Sequence, residues 1–194
     1  MENLLALDLQ VFLFINHWPH IPIIVIPALI LSGVGTYGLV WFILGGYLFI
    51  REEEKDHLFF LPLLTAGLIT ISLVELFLKP LFARLRPSPE TGAIIAGFTQ
   101  SDTYSFPSGH AAVAFALVGI IAEKEPRWKW WLYLLAVGIA LSRIYLGRHY
   151  PLDVVAGGLI GYITGKSVAY IFHRFFYFFG NPDKSKIIYR KKRK

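Results

Sequence analysis

The chain of 194 residues is 55% hydrophobic, with a mean hydropathy of +0.54 and a formal net charge of +6. This length leaves room for one domain, and so apolar a composition favours a polytopic membrane protein over a soluble globule. The sequence contains no cysteine, which excludes disulfide bonds and thiolate metal sites.

The N-terminal region contains two apolar stretches, each too short to span a bilayer as one straight helix. Residues 4–18 are interrupted by Asp8 and predict a helix that lies in the membrane interface or spans imperfectly. Residues 21–32 predict an embedded half-helix. We therefore assign residues 1–35 to membrane-embedded or interfacial helices, within a single membrane domain that covers residues 1–180.

Two spans are expected next, at residues 36–50 and 58–79. The second would rise roughly 33 Å as a helix, about the thickness of one bilayer core, and so carries Lys79 to the opposite face. Glu75 lies one helical turn before Lys79, which predicts an ion pair between them. A membrane carboxylate can also serve catalysis, but the structural role, holding the lysine, is favoured here.

Residues 104–110 place a proline, a hydroxyl, a glycine and an imidazole directly before the apolar run 111–122. Such a run predicts a helix, which Ser108 can cap, while Gly109 lets another group approach the backbone closely. The unpaired amides and the positive end of the helix dipole favour an anion at this terminus, and phosphate is the obvious ligand. The polar connection 87–106 is expected to lie over this phosphate seat.

Basic groups lie on both sides of the predicted seat. Lys79 and Arg86 are separated by six intervening residues at the end of an apolar segment, and two cations there need an anion. Arg143 and His149 precede another helix, whose first turn holds Asp153. Asp153 would lie near enough to accept a proton from the ring of His149, which leaves the other ring nitrogen free to attack.

The last predicted helix, 151–179, carries Gly157, Gly161 and Gly165, a row that allows close packing against another helix. The basic segment 181–194 follows it and holds seven of the nineteen Lys and Arg residues. Such a segment could bind nucleic acid, but its position directly after a membrane helix favours a cytoplasmic tail that contacts anionic lipids.

These three blocks, in this order and spacing, resemble the signature of the type 2 phosphatidic acid phosphatase superfamily, which includes glucose-6-phosphatases and vanadium haloperoxidases. The family pattern is lysine, six residues, arginine-proline; then proline-serine-glycine-histidine; then serine-arginine, five residues, histidine, three residues, aspartate. The matching positions are Lys79, Arg86, Pro87, Pro107, Ser108, Gly109, His110, Ser142, Arg143, His149 and Asp153.

The resemblance implies catalytic roles for three of these residues: His149 as a nucleophile that forms a phosphohistidine, Asp153 as its orienting carboxylate and His110 as the acid that protonates the leaving oxygen. The residue types at the other positions suit phosphate binding without a metal or cofactor, because they supply cations and hydrogen-bond donors. The predicted phosphate-binding residues are Lys79, Arg86, Ser108, Gly109 and Arg143. Arg84 and Arg148 lie outside the family pattern and are assigned auxiliary contacts.

The expected architecture is all-α, a polytopic membrane helix bundle of about five to six transmembrane helices. The loops after Ile50 and Ala122 share one side with the basic tail, and the positive-inside rule places that side in the cytoplasm. The active site is therefore expected at the non-cytoplasmic end of a multi-pass protein of the inner (plasma) membrane, facing the periplasm or the exterior.

The predicted activity is metal-independent hydrolysis of a phosphomonoester or diphosphate on a lipid head group. Among compact bacterial relatives, lipid A 1-phosphate and undecaprenyl diphosphate are the favoured substrates, and phosphatidylglycerophosphate or phosphatidic acid are the alternatives. A vanadate-dependent haloperoxidase is disfavoured because those relatives are soluble and larger, and a silent scaffold because the motif set is intact. No nucleic acid and no obligate protein partner are expected.

Overall fold

The computed structural model of the chain describes residues 2–51, 57–97 and 104–179, and in this part of the chain it contains helices and no strands. A π-helical segment, Leu73–Leu78, joins the helix His57–Ser72 to the short helix Lys79–Phe82 without a break. The helices are α1 (Glu2–Asn16), α2 (Pro22–Val34), α3 (Leu39–Arg51), α4 (His57–Ser72), α5 (Lys79–Phe82), α6 (Gly109–Lys124), α7 (Lys129–Tyr145) and α8 (Pro151–Phe179). The all-α expectation is confirmed, whereas the predicted tail at 181–194 lies outside the described residues.

Two of the described helices are long and apolar enough to cross a membrane, Phe59–Phe82 and Pro151–Phe175. The number rises to three if Pro22–Val34 and Thr36–Arg51 form one span together. These two helices are bent by 55° at the short break between them. The sequence had suggested a half-helix followed by a separate span. The structure places a bend of 55° between the two stretches, and Gly35 and Gly38 at this bend pack against α6 and α7.

Helix α6 forms the centre of the bundle. Every residue from Ala111 to Ala122 is buried except the half-buried Phe115, so the helix contacts other helices on all sides. A helix that is apolar all round gains most when it is enclosed in this way. The N-terminus of α6, with Ser108 as its N-cap residue, therefore lies at one end of the bundle with the other helices around it.

Helix α8 packs against α6 at backbone contact distance through its glycine row. A Cβ atom added at Gly157, Gly161 or Gly165 would lie 2.4, 1.9 or 2.2 Å from a carbonyl oxygen of α6 or of its N-cap residue. The three carbonyl oxygens belong to Ser108, Ala112 and Ala116. The predicted close packing is confirmed, and it brings the first turn of α8 beside the N-terminus of α6.

Helix α1 connects the segment 88–97 to the end of α7. The fully buried side chain of Asn16 donates to the carbonyls of Ile94 and Tyr145 (2.9 and 2.8 Å) and accepts from the amide of Ile94 (2.8 Å). The connection 87–106 was expected to lie over the phosphate seat. Its part 88–97 contacts α1 and the α7–α8 connection, and the carbonyl of Ser105 in the same connection accepts from the ring of His149, whereas residues 98–103 lie outside the described part of the chain.

Candidate active site

The N-terminus of α6 retains free hydrogen-bond donors for a ligand. The Ser108 hydroxyl accepts a long hydrogen bond from the amide of Ala111 (3.5 Å), and the Ser108 amide donates to the carbonyl of Asp153 (2.9 Å). Gly109 and His110 are the first two residues of the helix, where amides have no acceptor within the helix. These amides and the helix dipole favour an anion at this point.

Three cations of the motifs converge on this helix end from three different elements. Lys79 is buried at the start of α5, Arg86 lies in the connection that follows α5, and Arg143 lies in the last turn of α7. Their charges act on one another and on His149. The structure therefore brings together the predicted phosphate-binding residues, and an anion among them would neutralise their mutual repulsion.

His149 is buried, with its two ring nitrogens in different surroundings. Nδ1 lies 2.8 Å from the carbonyl oxygen of Ser105, and because a carbonyl only accepts, Nδ1 carries the proton. Nε2 then keeps a lone pair, and it lies 3.3 Å from Nη1 of Arg86. Burial, and then the charges of Arg143, Arg86 and Lys79, hold the pKa of His149 well below its usual value. A neutral ring that keeps a lone pair on Nε2 is the form a nucleophile needs.

Asp153 lies beside the ring of His149 without accepting its proton. Its Oδ2 is 3.6 Å from Nδ1 of His149, beyond hydrogen-bond distance, and the carbonyl of Ser105 takes the position that the sequence had given to Asp153. The carboxylate instead accepts from the amide of Tyr150 (2.9 Å) and from Nη1 of Arg84 (2.6 Å). Ser105 was missed because a backbone carbonyl contributes in the same way whatever side chain it carries.

Arg84 links Asp153 to a second buried carboxylate on α1. Its Nη2 donates to Oδ2 of Asp8 (2.5 Å), and its guanidinium stacks 4.1 Å above the ring centroid of Tyr150. Oδ1 of Asp8 accepts from the amide of Leu152 (2.8 Å) in the first turn of α8. The sequence indicated Arg84 only as an auxiliary contact and Asp8 only as an interruption of an apolar stretch. A charged residue inside such a stretch was the available signal.

The bend between α2 and α3 contacts two motif residues. Nη1 of Arg143 donates to the hydroxyl of Ser32, and the ring of His110 hydrogen bonds to the backbone of Ser32. Oγ1 of Thr36 lies 3.4 Å from Nε2 of His110. These contacts were not predicted, because they depend on how the bend is placed against α6 and α7. They position the two motif side chains from outside the motifs.

Two further predictions concern basic side chains near the site. Nζ of Lys79 donates to both carboxylate oxygens of Glu75, at 2.7 and 2.8 Å, which confirms the predicted ion pair. Arg148, for which an auxiliary contact was expected, donates from Nη2 to the carbonyl of Ala96 (3.1 Å), while its own carbonyl accepts from Arg86 (2.8 Å). Arg148 therefore attaches the segment 88–97 to the site.

Comparison with known proteins finds a match to the PAP2 superfamily over residues 59–177. A lipid A 4'-phosphatase from Porphyromonas gingivalis is 28% identical over 176 residues, which cover 87% of this chain and 74% of that protein. An undecaprenyl-diphosphatase from Sulfolobus acidocaldarius is 37% identical over 84 residues, 43% of this chain and 41% of that protein.

Two solved structures share the arrangement of helices. The crystal structure of LpxE from Aquifex aeolicus is 32% identical, with a TM-score of 0.62 over 84% of this chain and 94% of that one. A PAP2 type phosphatidylglycerolphosphate phosphatase from Bacillus subtilis is 20% identical, with a TM-score of 0.66 over 90% of this chain and 88% of that one, and shows likeness of fold. The matched family region begins in α4 and contains all the motif residues, whereas α1, α2 and α3 precede it.

Proposed function

Because the chain belongs to the PAP2 superfamily, we propose that it is an integral-membrane phosphatase that hydrolyses a phosphomonoester or diphosphate on a lipid head group through a phosphohistidine. The observation that carries this proposal is the neutral ring of His149, whose Nε2 lies against Arg86 and whose surroundings also include the charges of Arg143 and Lys79. A phosphoryl group bound by those donors would lie beside the attacking nitrogen. The groups that bind the phosphoryl group and the nitrogen that attacks it would thus lie at the same place.

In the proposed first step, Nε2 of His149 attacks phosphorus and forms a nitrogen–phosphorus bond, while the bond from phosphorus to the lipid oxygen breaks. His110 gives its proton to the departing oxygen. Lys79, Arg86 and Arg143 offset the charge on the phosphoryl oxygens, which is electrostatic stabilisation by groups already in position. Each such donor is worth about 100-fold to 1,000-fold in enzymes where one has been removed.

In the second step, water gives a proton to His110 and its oxygen attacks phosphorus, the nitrogen–phosphorus bond breaks, and inorganic phosphate and free His149 are released. Asp153 lies near Nδ1 and favours a positive charge on the ring when one develops. The Ser105 carbonyl keeps the ring in one orientation throughout. Ser108 and Gly109 complete the phosphate seat at the N-terminus of α6.

We propose lipid A phosphates and undecaprenyl diphosphate as the favoured substrates. This choice is supported by the activities for which similar proteins are named, which include lipid A 4'-phosphatase, lipid A 1-phosphatase and undecaprenyl-diphosphatase. Phosphatidylglycerophosphate and phosphatidic acid are the alternatives.

Phosphate release from a panel of these purified lipids should select among them, and the activity should persist in excess EDTA. The physical reason is that cations and backbone amides at the seat already supply the positive charge that the phosphoryl group needs. Turnover would be measured as inorganic phosphate in detergent micelles with and without chelator. Loss of turnover that only a divalent ion restores would contradict the proposed chemistry.

We further propose that the chain crosses the inner membrane about five to six times, with the site at the non-cytoplasmic end. The turn between α6 and α7 carries Lys124 and Arg127, and Trp130 and Trp131 beside it are 80% and 73% exposed, as expected for an aromatic belt at the membrane surface. The site lies at the opposite end of α6. Cationic loops favour the cytoplasmic side, which leaves the site outside.

The cysteine-free chain allows this orientation to be tested with single cysteines. Glu90→Cys, exposed beside the site, should react with a membrane-impermeant maleimide in intact cells. Arg127→Cys, exposed in the turn between α6 and α7, should react only after the membrane is permeabilised. The reverse pattern would place the site in the cytoplasm.

A further inference from the structure

Glu75 is an acidic residue among the cations of the site, although it is not a motif position. Both of its carboxylate oxygens accept from Nζ of Lys79. Its Oε1 also lies only 2.8 Å from the position that a Cβ atom would take at Gly109, so the carboxylate contacts the first residue of α6. The charge of Glu75 therefore occupies the neighbourhood in which the proposed phosphate would bind.

The carboxylate of Glu75 lies where an anion bound at the phosphate seat would also be stabilised. It lies at the positive end of α6, and it takes two hydrogen bonds from a lysine that the motif assigns to the phosphate. A phosphoryl oxygen and a carboxylate cannot both accept the same N–H bonds from Lys79, and their charges repel. Glu75 takes two of the three N–H donors of Lys79, so a phosphoryl group would share the ammonium with a carboxylate that repels it. Substrate binding therefore weakens the contact of Glu75 with the lysine.

We propose that Glu75 is an internal competitor for the phosphate, paired with Lys79 in the empty enzyme, displaced by the phosphoryl group, and paired again as inorganic phosphate leaves. This inference rests on the proposed function. Its consequence is that Glu75 keeps product affinity low, so that a buried cluster of cations does not hold inorganic phosphate after turnover.

The exposure of the two partners fits such an exchange. The side chain of Lys79 is 7% exposed, whereas that of Glu75 is 33% exposed. The lysine is fixed in the bundle, and the carboxylate can turn away from it without unpacking a helix. Glu75 also lies on the π-helical segment, a kind of helix found frequently at functional sites.

A purely structural role for Glu75 makes the opposite prediction. If the carboxylate only held Lys79 in place, its neutralisation would loosen the lysine and weaken phosphate binding. If it competes, the same change removes a negative charge close to the bound anion and strengthens phosphate binding, by about tenfold or more at this range. The sign of the effect therefore separates the two roles.

The test measures the dissociation constant of inorganic phosphate for the full chain in detergent, from the concentration dependence of the thermal unfolding midpoint in a phosphate-free buffer. Glu75→Gln should bind phosphate about tenfold more tightly than the wild type. Glu75→Asp keeps the charge and should stay within about twofold of it. Glu123→Gln is the matched control, because Glu123 also accepts from a lysine, Lys166, but at the other end of α6.

Unchanged or weaker phosphate binding by Glu75→Gln would overturn the inference. If that variant does not fold, Glu75→Ser carries the same expectation of tighter binding and the same contrary outcome. Binding does not require turnover, so a wild type that binds phosphate but releases none from any lipid would refute the proposed function and leave the comparison valid. Absence of phosphate binding in both the wild type and Glu75→Gln would overturn the inference, while phosphate release from lipid would still test the proposed function.

Discussion

Replacing His149 by alanine should abolish phosphate release from every lipid substrate. Among the described contacts of the two motif histidines, Nε2 of His149 is the nitrogen whose lone pair faces the proposed phosphate seat. It lies against Arg86. Neither the cations nor His110 can take over nucleophilic attack, and removal of a nucleophile in other hydrolases costs on the order of 10⁶ in turnover. Two quantities should be measured, the release of phosphate and the amount of phosphoenzyme. The phosphoenzyme should be tested for stability in acid and in base, since a phosphohistidine is labile to acid and survives base.

The comparison variants make this result specific. His110→Ala should still form the phosphoenzyme, but more slowly, and should lose about 100-fold to 10,000-fold in turnover of a phosphomonoester, whose alkoxide leaving group needs a proton. It should lose less on a lipid diphosphate, because a lipid phosphate is a weaker base. His173→Ala, near the far end of α8, should behave as the wild type. Phosphoenzyme in His149→Ala, or equal losses on both substrates in His110→Ala, would contradict the respective assignments.

The second large effect is expected from one methyl group at Gly161. A Cβ atom there would lie 1.9 Å from the carbonyl oxygen of Ala112 and 2.7 Å from its carbonyl carbon. Backbone atoms cannot rotate aside as a side chain can, so α6 and α8 must separate. We expect Gly161→Ala to destabilise the protein by about 3 kcal/mol or more, at the upper end of overpacking costs. Activity should fall as well, because α8 carries Asp153 and α6 carries His110.

The matched control for this substitution is Gly46→Ala on α3, where an added Cβ would meet nothing within 4 Å. Thermal unfolding of the two variants, followed by tryptophan fluorescence in the same detergent, isolates the effect of the helix contact from that of adding a methyl group. Equal unfolding midpoints for the two variants would show that α6 and α8 do not pack at backbone contact distance.

The parts of the site that depend on residues close together in the sequence were predictable from the sequence. A capped, apolar helix preceded by a serine and a glycine gave α6 and its open end, and glycines four residues apart gave the face of α8 that packs on α6. The pair of Glu75 and Lys79 followed from their spacing of four residues. In each case the interacting groups are close in sequence or belong to one periodic pattern.

The parts that depend on tertiary contacts were not predictable in this way. The bend between α2 and α3 places Tyr37 in the left-handed region at φ +48°, which a tyrosine rarely adopts and which only surrounding contacts can maintain. Ser32 and Thr36 reach Arg143 and His110 because of that bend. The partner of Nδ1 of His149 is a backbone carbonyl, and its identity depended on the path of residues 104–107, not on any side chain.

The cluster of charges formed by Asp8, Arg84 and Asp153 also bears on the order in which the helices assemble. Asp8 is translated first, and the amide of Leu152 that it accepts from is synthesised 144 residues later. Until α8 has entered the membrane, Asp8 and Arg84 lack their contacts to that helix, and a buried polar group without its partners is costly. We therefore expect the contacts of this cluster to be complete only after the last described helix has packed against the first.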